Sequence, residues 1–223
     1  MTTTDFTKDK YSQKNKEYFT VERREMLGFL PEQIDCLLDV GCGDGLFGEI
    51  VKKEFSSAKV WGVEYEEQSA NEARNRLDKV LTGTIEENLN QLPANHFDCI
   101  IFNDVLEHLI DPYSVLENIK SKLKPSGVIV SSIPNIRYFR NFFDFVLHKN
   151  WDYTESGIMD ITHFRFFTYK SIRKMYENAG YKIVQHKGIN KTKSIRPAIL
   201  NIFTLGLFWD IKYLQFATVA TVK

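Results

Sequence analysis

The chain is short of most features that would assign it to a class at once. It has no surplus of either charge: 29 Lys and Arg stand against 29 Asp and Glu. Without a basic excess to neutralise a phosphate backbone, a general nucleic-acid binder is not expected. Cysteine is scarce. Cys36, Cys42 and Cys99 form no C-x-x-C pair, and an odd number lying in apolar stretches reads as reduced, buried thiols. No run approaches the roughly 18 apolar residues of a membrane span. The first ten residues are polar and lack an apolar h-region, so no signal peptide is expected and the reading is a cytoplasmic protein. No His/Cys/Asp grouping has metal-ligand spacing along the chain, so no metal is expected.

What is present suits an ordinary soluble globular protein. Hydrophobic residues make up 43% and charged residues 26% of 223 positions, an ordinary globular balance. A chain of this length reads as one domain, 1–223, with a core that needs no disulfide or metal. Residues 11–30 have an amphipathic helical pattern that Pro31 ends. The apolar run 36–40 stops at glycines and reads as a buried strand, followed by a helix over 46–55. A strand at 58–64, a helix at 66–77 and short strands at 80–82 and 97–103 come next. A helix over 113–123 and a strand at 128–133, closed by Pro134, complete the alternation. Strands alternating with helices predict a parallel sheet covered on both faces, a doubly wound Rossmann-like α/β fold. The pattern then breaks. Residues 135–167 are rich in aromatics and read as a helical or aromatic lid over the acceptor. Thr168 is a predicted N-cap and Gly180 a predicted C′ residue for a helix between them. A strand at 181–187, a second irregular insert at 189–210 and a last strand from 213 follow.

The sharpest signal is Asp39-Val40-Gly41-Cys42-Gly43-Asp44-Gly45, where the first strand meets the first helix. Glycine there permits positive φ and close approach of a ligand to backbone N–H groups. In a doubly wound sheet, ligands bind beyond the carboxyl ends of the strands near such a crossover. The third glycine comes one residue too early for the dinucleotide fingerprint, so the loop suits a ligand without a pyrophosphate. Glu64, at the end of the second strand, is placed to accept ribose hydroxyls.

These residues, with Gly62-Val63-Glu64, the run from Phe97 to Leu109 and Leu123-Lys124-Pro125-Ser126-Gly127-Val128, occur in the order of four family motifs. The chain resembles the class I S-adenosylmethionine-dependent methyltransferases. The resemblance implies a seven-stranded sheet with an antiparallel last strand, and S-adenosylmethionine as cofactor, leaving as S-adenosylhomocysteine. It implies that Gly41 and Gly43 approach the methionine part and that Asp39 orients the loop and the cofactor's amino group. Glu64 would take the ribose hydroxyls, Tyr65 would flank the adenine, and Asn103 would face the methionine moiety. Thr84 and Ile85 stand beside the adenine position, where Thr84 replaces the family's Asp. Cys42, Gly45 and Asp104 belong to the same motifs and are counted with the cofactor contacts.

Methyl transfer from a sulfonium needs orientation and exclusion of water from the protein. An amine acceptor need only arrive deprotonated, whereas a hydroxyl gains from a general base. His163, in Asp160-Ile161-Thr162-His163-Phe164-Arg165, is the candidate base, with Asp160, Arg165 and His108 as candidate substrate contacts. A structural alternative stays open, in which Asp160 and Arg165 pair and His163 is satisfied by backbone. The segment is similar to one in methyltransferases of bacterial surface-polysaccharide and sugar modification, which implies a sugar or sugar-nucleotide hydroxyl as acceptor. N-methylation of a small (phospho)amine and a non-catalytic cofactor-binding module remain the competing readings. The apolar stretch 195–209, preceded by Lys187, Lys191, Lys193 and Arg196, is core, a homodimer surface or a peripheral contact with membrane.

Overall fold

The computed structural model of the chain describes Lys10, Lys14, Thr20 and residues 22–223. The helix expected over 11–30 lies partly outside the described residues. Its described end is a 3₁₀ segment, Arg24–Phe29, that buries Met26. One sheet of seven strands follows: β1 (Cys36–Val40), β2 (Lys59–Glu64), β3 (Lys79–Thr82), β4 (Phe97–Asn103), β5 (Leu123–Pro134), β6 (Tyr181–Lys191) and β7 (Tyr213–Val222). Their order across the sheet is β3-β2-β1-β4-β5-β7-β6. β1 to β5 pair in parallel, while β7 runs antiparallel to both β5 and β6. This is the expected doubly wound sheet with an antiparallel last strand.

The continuous apolar run of β1 has its cause in the sheet: all five residues are buried because both faces are covered. Side chains alternate between the faces. Leu38, Val40, Ile100 and Phe102 join one core, and Leu37, Cys99, Ile101 and Val130 the other. Each such buried chain contributes on the order of 1.5–3 kcal/mol. The tyrosines of the first core keep their hydroxyls satisfied: Tyr176 donates to Ser131 Oγ at 2.7 Å and Tyr181 to the Leu116 carbonyl at 2.7 Å.

Among the described residues seven α-helices flank the sheet: α1 (Leu46–Glu54), α2 (Glu67–Ala73), α3 (Ile85–Asn88), α4 (Pro112–Ile119), α5 (Phe139–Leu147), α6 (Tyr169–Asn178) and α7 (Arg196–Phe203). At α6, the Thr168 hydroxyl accepts from the Ser171 N–H, and Gly180 takes φ 78° beyond its end, as the sequence predicts. Four elements depart from the expectation. α3 is closed by a capping box: Thr84 accepts from the Glu87 N–H, and the Glu87 carboxylate accepts from the Thr84 N–H at 2.9 Å. α5 lies inside the first insert and α7 inside the second, and β6 runs on to Lys191. The two inserts hold each other. Asn135, fully buried, donates to the Asp210 and Tyr213 carbonyls at 3.0 Å each. Arg137 pairs with Asp210 at 2.7 Å, and the Phe142 and Phe208 rings meet at 5.1 Å.

Candidate active site

β1 has β2 on one side and β4 on the other, so the chain winds away from it in opposite directions. A crevice must open beyond the carboxyl ends at such a switch point. There the structure has a cavity of about 520 Å³. One side is built from strand ends. Gly41 turns the chain with φ 71°, and a Cβ there would meet Val105 Cγ2 at 2.5 Å. The Gly41 and Cys42 N–H groups both donate to the Val63 carbonyl, at 2.8 and 3.2 Å, which clamps the loop across β2. The Glu64 carboxylate accepts from the Gly43 N–H at 2.8 Å and the Glu66 N–H at 2.9 Å. The Tyr65 N–H adds a third backbone bond, so of a carboxylate's roughly four lone-pair sites one remains for a hydroxyl donor. Burial raises its pKa and these N–H groups oppose the rise.

Asp39 lines the same side, nearly inaccessible to solvent. Burial first, then the neighbouring Glu64 charge, pushes its pKa up to about 8. Asn103 ends β4 and lines the cavity, and neither of its amide atoms has a hydrogen-bond partner. Tyr65, Thr84 and Ile85 complete this wall, with the Thr84 hydroxyl engaged as the cap of α3. Cys42 reaches the cavity too, and its buried thiol has its pKa raised by burial. Gly45 does not line the cavity. A Cβ at Gly45 would press on the backbone of Ala73 at 3.1 Å, so this glycine, at φ 84°, lets α1 start against α2.

The opposite side is built from two segments far apart in sequence. The 3₁₀ turn Leu106–His108 follows β4, and the Glu107 carbonyl accepts from the Phe164 and Arg165 N–H groups at 2.9 and 3.1 Å. His108 Nδ1 lies 3.2 Å from the Thr162 carbonyl and 3.1 Å from its hydroxyl. Thr162 in turn donates to Asp160 from its N–H at 2.9 Å and its hydroxyl at 2.7 Å. Asp160 pairs with Lys14 at 2.7 Å rather than with Arg165, and these donors hold its carboxyl below the usual range against burial. Arg165 is exposed, donates to the Ile110 carbonyl at 2.8 Å and does not line the cavity.

His163 is buried, lines the cavity and has Nδ1 2.9 Å from the Ile158 carbonyl. A carbonyl only accepts, so Nδ1 carries the proton and Nε2 the lone pair. Burial lowers the pKa of His163. Burial and then His163 push His108 down to about 3. The two rings pack edge to face with centroids 4.5 Å apart.

Asp104 joins the two sides. It takes φ 53°, and its carboxylate accepts from Ser132 at 2.9 Å, from Gln215 at 2.6 and 2.7 Å, and from Arg23. Burial raises its pKa and Arg23 opposes this most. Arg23, Gln215, Asn190 and Glu107 line the cavity; the first three carry no signal in the sequence, since each is polar without a motif around it, while Glu107 lies within the Phe97 to Leu109 motif run.

Residues 11–186 match the model of a methyltransferase-domain family. The chain belongs to that methyltransferase-domain family. It is 35% identical over 108 residues to a ubiquinone biosynthesis O-methyltransferase of Actinobacillus pleuropneumoniae, covering 44% of this chain and 45% of that protein. To the enzyme of the same name from Aeromonas salmonicida it is 27% identical over 188 residues, 80% of this chain and 74% of that one. The chain thus spans under half the length of the first relative. In fold it is similar to a SAM-dependent methyltransferase from Archaeoglobus fulgidus, with a TM-score of 0.67, 21% identity, and 97% and 98% of the two chains covered.

Proposed function

We propose that the chain moves the methyl group of S-adenosylmethionine to a hydroxyl oxygen of a small acceptor that carries an apolar portion. The cofactor fits the strand-end wall. Asp39 faces its ammonium, the unpartnered Asn103 amide its amino-acid moiety, and Glu64 its ribose hydroxyls, while the bare Cα of Gly41 admits it at the turn. When bound, the cofactor supplies a sulfonium methyl group. Transfer of that methyl to the acceptor oxygen would leave the S–C electron pair on sulfur and release S-adenosylhomocysteine, and the residues of both walls would hold the two reacting atoms in line.

His163 is the observation that supports a hydroxyl acceptor. An amine needs no base at this wall, whereas a hydroxyl has a proton to lose. His163, as a free imidazole with its tautomer set by the Ile158 carbonyl, takes that proton through Nε2. Beside its polar groups Glu107, His108 and Asp160, the acceptor side carries Leu109, Ile110, Ile158 and Phe164 in the lining. That favours a ring or chain beside the reacting hydroxyl over a bare sugar. The names of the relatives, which are O-methyltransferases, support oxygen as the acceptor atom. The test is S-adenosylhomocysteine release with phenols and catechols bearing alkyl chains, sugars and nucleotide sugars, and small phosphoamines. Turnover on the first group is expected. Turnover on sugars alone would restore the sugar-hydroxyl reading, and turnover on amines alone would remove the base role of His163. No turnover with cofactor binding intact would leave a binding module.

The exposed side of the second insert gives such an acceptor a place of origin. Ile202, Phe203, Leu205 and Leu207 are each at least 70% exposed, and Lys191, Lys193 and Arg196 lie at the start of the same insert. Apolar side chains beside cations suit an anionic lipid surface, although among the described residues no helix is long and apolar enough to cross a membrane. Cosedimentation with vesicles of anionic phospholipid, absent with zwitterionic ones, is the expected result. A stable homodimer that buries this side in solution would replace the membrane reading.

A further inference from the structure

Glu107 is the anomaly of the acceptor side. Its carboxylate is buried, and neither oxygen has a hydrogen-bond partner. A buried carboxylate left without donors costs several kcal/mol as an ion, and such groups are otherwise paired or bound to metal. Around it stand two imidazoles. One ligand atom from each of Glu107, His108 and His163 lies within 4.8 Å of the others. We infer that Glu107, His108 and His163 form a binding site for one divalent first-row transition-metal ion at the acceptor end of the cavity.

Three features support this besides proximity. The donor set is two imidazoles and one carboxylate, which suits Zn, Fe, Co or Ni better than Mg or Ca. Ligand atoms about 2.0–2.2 Å from a shared ion stand about 3–4 Å apart, so modest rotamer adjustment closes the site. The outer contacts that fix ligating histidines are also already made. His163 holds its Nδ1–H on the Ile158 carbonyl, and His108 Nδ1 is set against Thr162, which is itself held by Asp160. That arrangement presents Nε2 of each ring as the ligand atom and sets ring orientation, as backbone and carboxylate partners do at metal sites. Three protein ligands leave further positions for a water or for the acceptor oxygen.

The inference rests on the hydroxyl-acceptor reading for its role, though not for its existence. Loaded with a cation, His163 becomes a ligand. The acceptor oxygen binds the ion, and its proton leaves to water more readily because the ion stabilises the oxyanion. The sequence expectation of no metal came from spacing along the chain. His163 is remote from Glu107 and His108 in sequence, and the bonds from the 164–165 N–H groups to the Glu107 carbonyl, with the His108–Thr162 contact, bring it to them.

The experiment is a Co²⁺ titration of the purified, chelator-treated full chain, read by visible absorption, with S-adenosylhomocysteine release measured in parallel. One equivalent of Co²⁺ with a ligand-field spectrum is expected, and Glu107→Gln and His163→Ala should each weaken binding at least tenfold. Circular dichroism and cofactor binding verify that both variants fold, and if either does not, the wild-type spectrum and stoichiometry still decide. Absence of saturable Co²⁺ binding, or binding that both variants leave unchanged, would overturn the site. Full turnover on a hydroxyl acceptor in chelator would end the catalytic role of the ion while the hydroxyl reading stands. Co²⁺ bound at these residues with only amines methylated would do the reverse.

Discussion

The two walls of the cavity are held by different means. On the cofactor wall, strand ends and a glycine turn set the positions; Glu64 and Thr84 are held by backbone N–H groups, but Asn103 has no partner among the described residues and Asp39 is pushed towards its neutral form. On the acceptor wall nearly every polar group already has a partner. Asp160 holds Thr162 and Lys14, His108 meets Thr162, and His163 is tied to Ile158. A wall of unused donors and acceptors gains its bonds when a ligand arrives. A wall whose side chains are locked beforehand fixes geometry for a reacting atom and pays the ordering cost during folding. The contrast assigns affinity to the first wall and rate to the second, and each substitution below is chosen to test that division.

The largest effect falls on the acceptor wall. His163→Ala should lower kcat by about 10²–10⁴, with the Kd for S-adenosylmethionine unchanged within about threefold. Steady-state rates and a cofactor titration on the same preparation check it. A loss of cofactor affinity of the same size as the rate loss would mean that the walls are not separate. Gly41→Ala is the counterpart on the cofactor wall. A methyl group at φ 71° would press on Val105 Cγ2 at 2.5 Å, and left-handed backbone costs a non-glycine residue roughly 1–2 kcal/mol before that contact is counted. A fall in cofactor affinity of at least about tenfold is expected, with kcat at saturating cofactor far less affected. Calorimetric titration measures it.

Asp39 gives the same wall a pH signature. Its folded pKa of about 8 lies above the ordinary value of 3.8, so the unliganded protein binds this proton more tightly than the unfolded chain does. Its contribution to stability is therefore complete below about 3.8 and is lost as pH rises through about 8. A cofactor ammonium favours the carboxylate, so binding below that pH must expel the proton. Affinity should rise with pH by up to about tenfold per unit and level off near 8. Titrations in buffers of different ionisation enthalpy should show proton release. Asp39→Asn should abolish both the release and the slope. A slope that survives in that variant would belong to another group.

The same contrast accounts for what the chain makes legible. β4 carries the continuous apolar run Cys99 to Phe102 because it is buried on both faces there, and the reading 97–103 matches its bounds. The glycine turn and Glu64 are local signals for the same reason: one strand end makes each of them. α3 was equally readable, since Thr84 and Glu87 have capping-box spacing, but attention to Thr84 as an adenine contact hid its role as a cap. α5 was hidden by its composition. Its aromatics recur at helical spacing, yet only Phe139 is buried, so the stretch looks irregular against a sheet. No local signal places Glu107 beside His163, because that meeting depends on hydrogen bonds between two loops.

Arg165 provides the smallest test. It sits two residues from His163 in sequence, and its charge made it a candidate for an anionic group on the acceptor. Its side chain instead lies in solvent and gives one hydrogen bond to the Ile110 carbonyl. An exposed bond of this kind is worth little, because water replaces it. Arg165→Ala should therefore change stability by no more than about 0.5 kcal/mol and leave kcat and the acceptor KM within about threefold. The backbone carries what matters at this position, since the Arg165 N–H donates to Glu107 and survives in the variant. Thermal melts and acceptor saturation curves check both points. A tenfold rise in acceptor KM with kcat intact would show that the guanidinium reaches the bound acceptor after all. The acceptor wall would then supply affinity as well as rate, and the division between the walls would fail at this residue first.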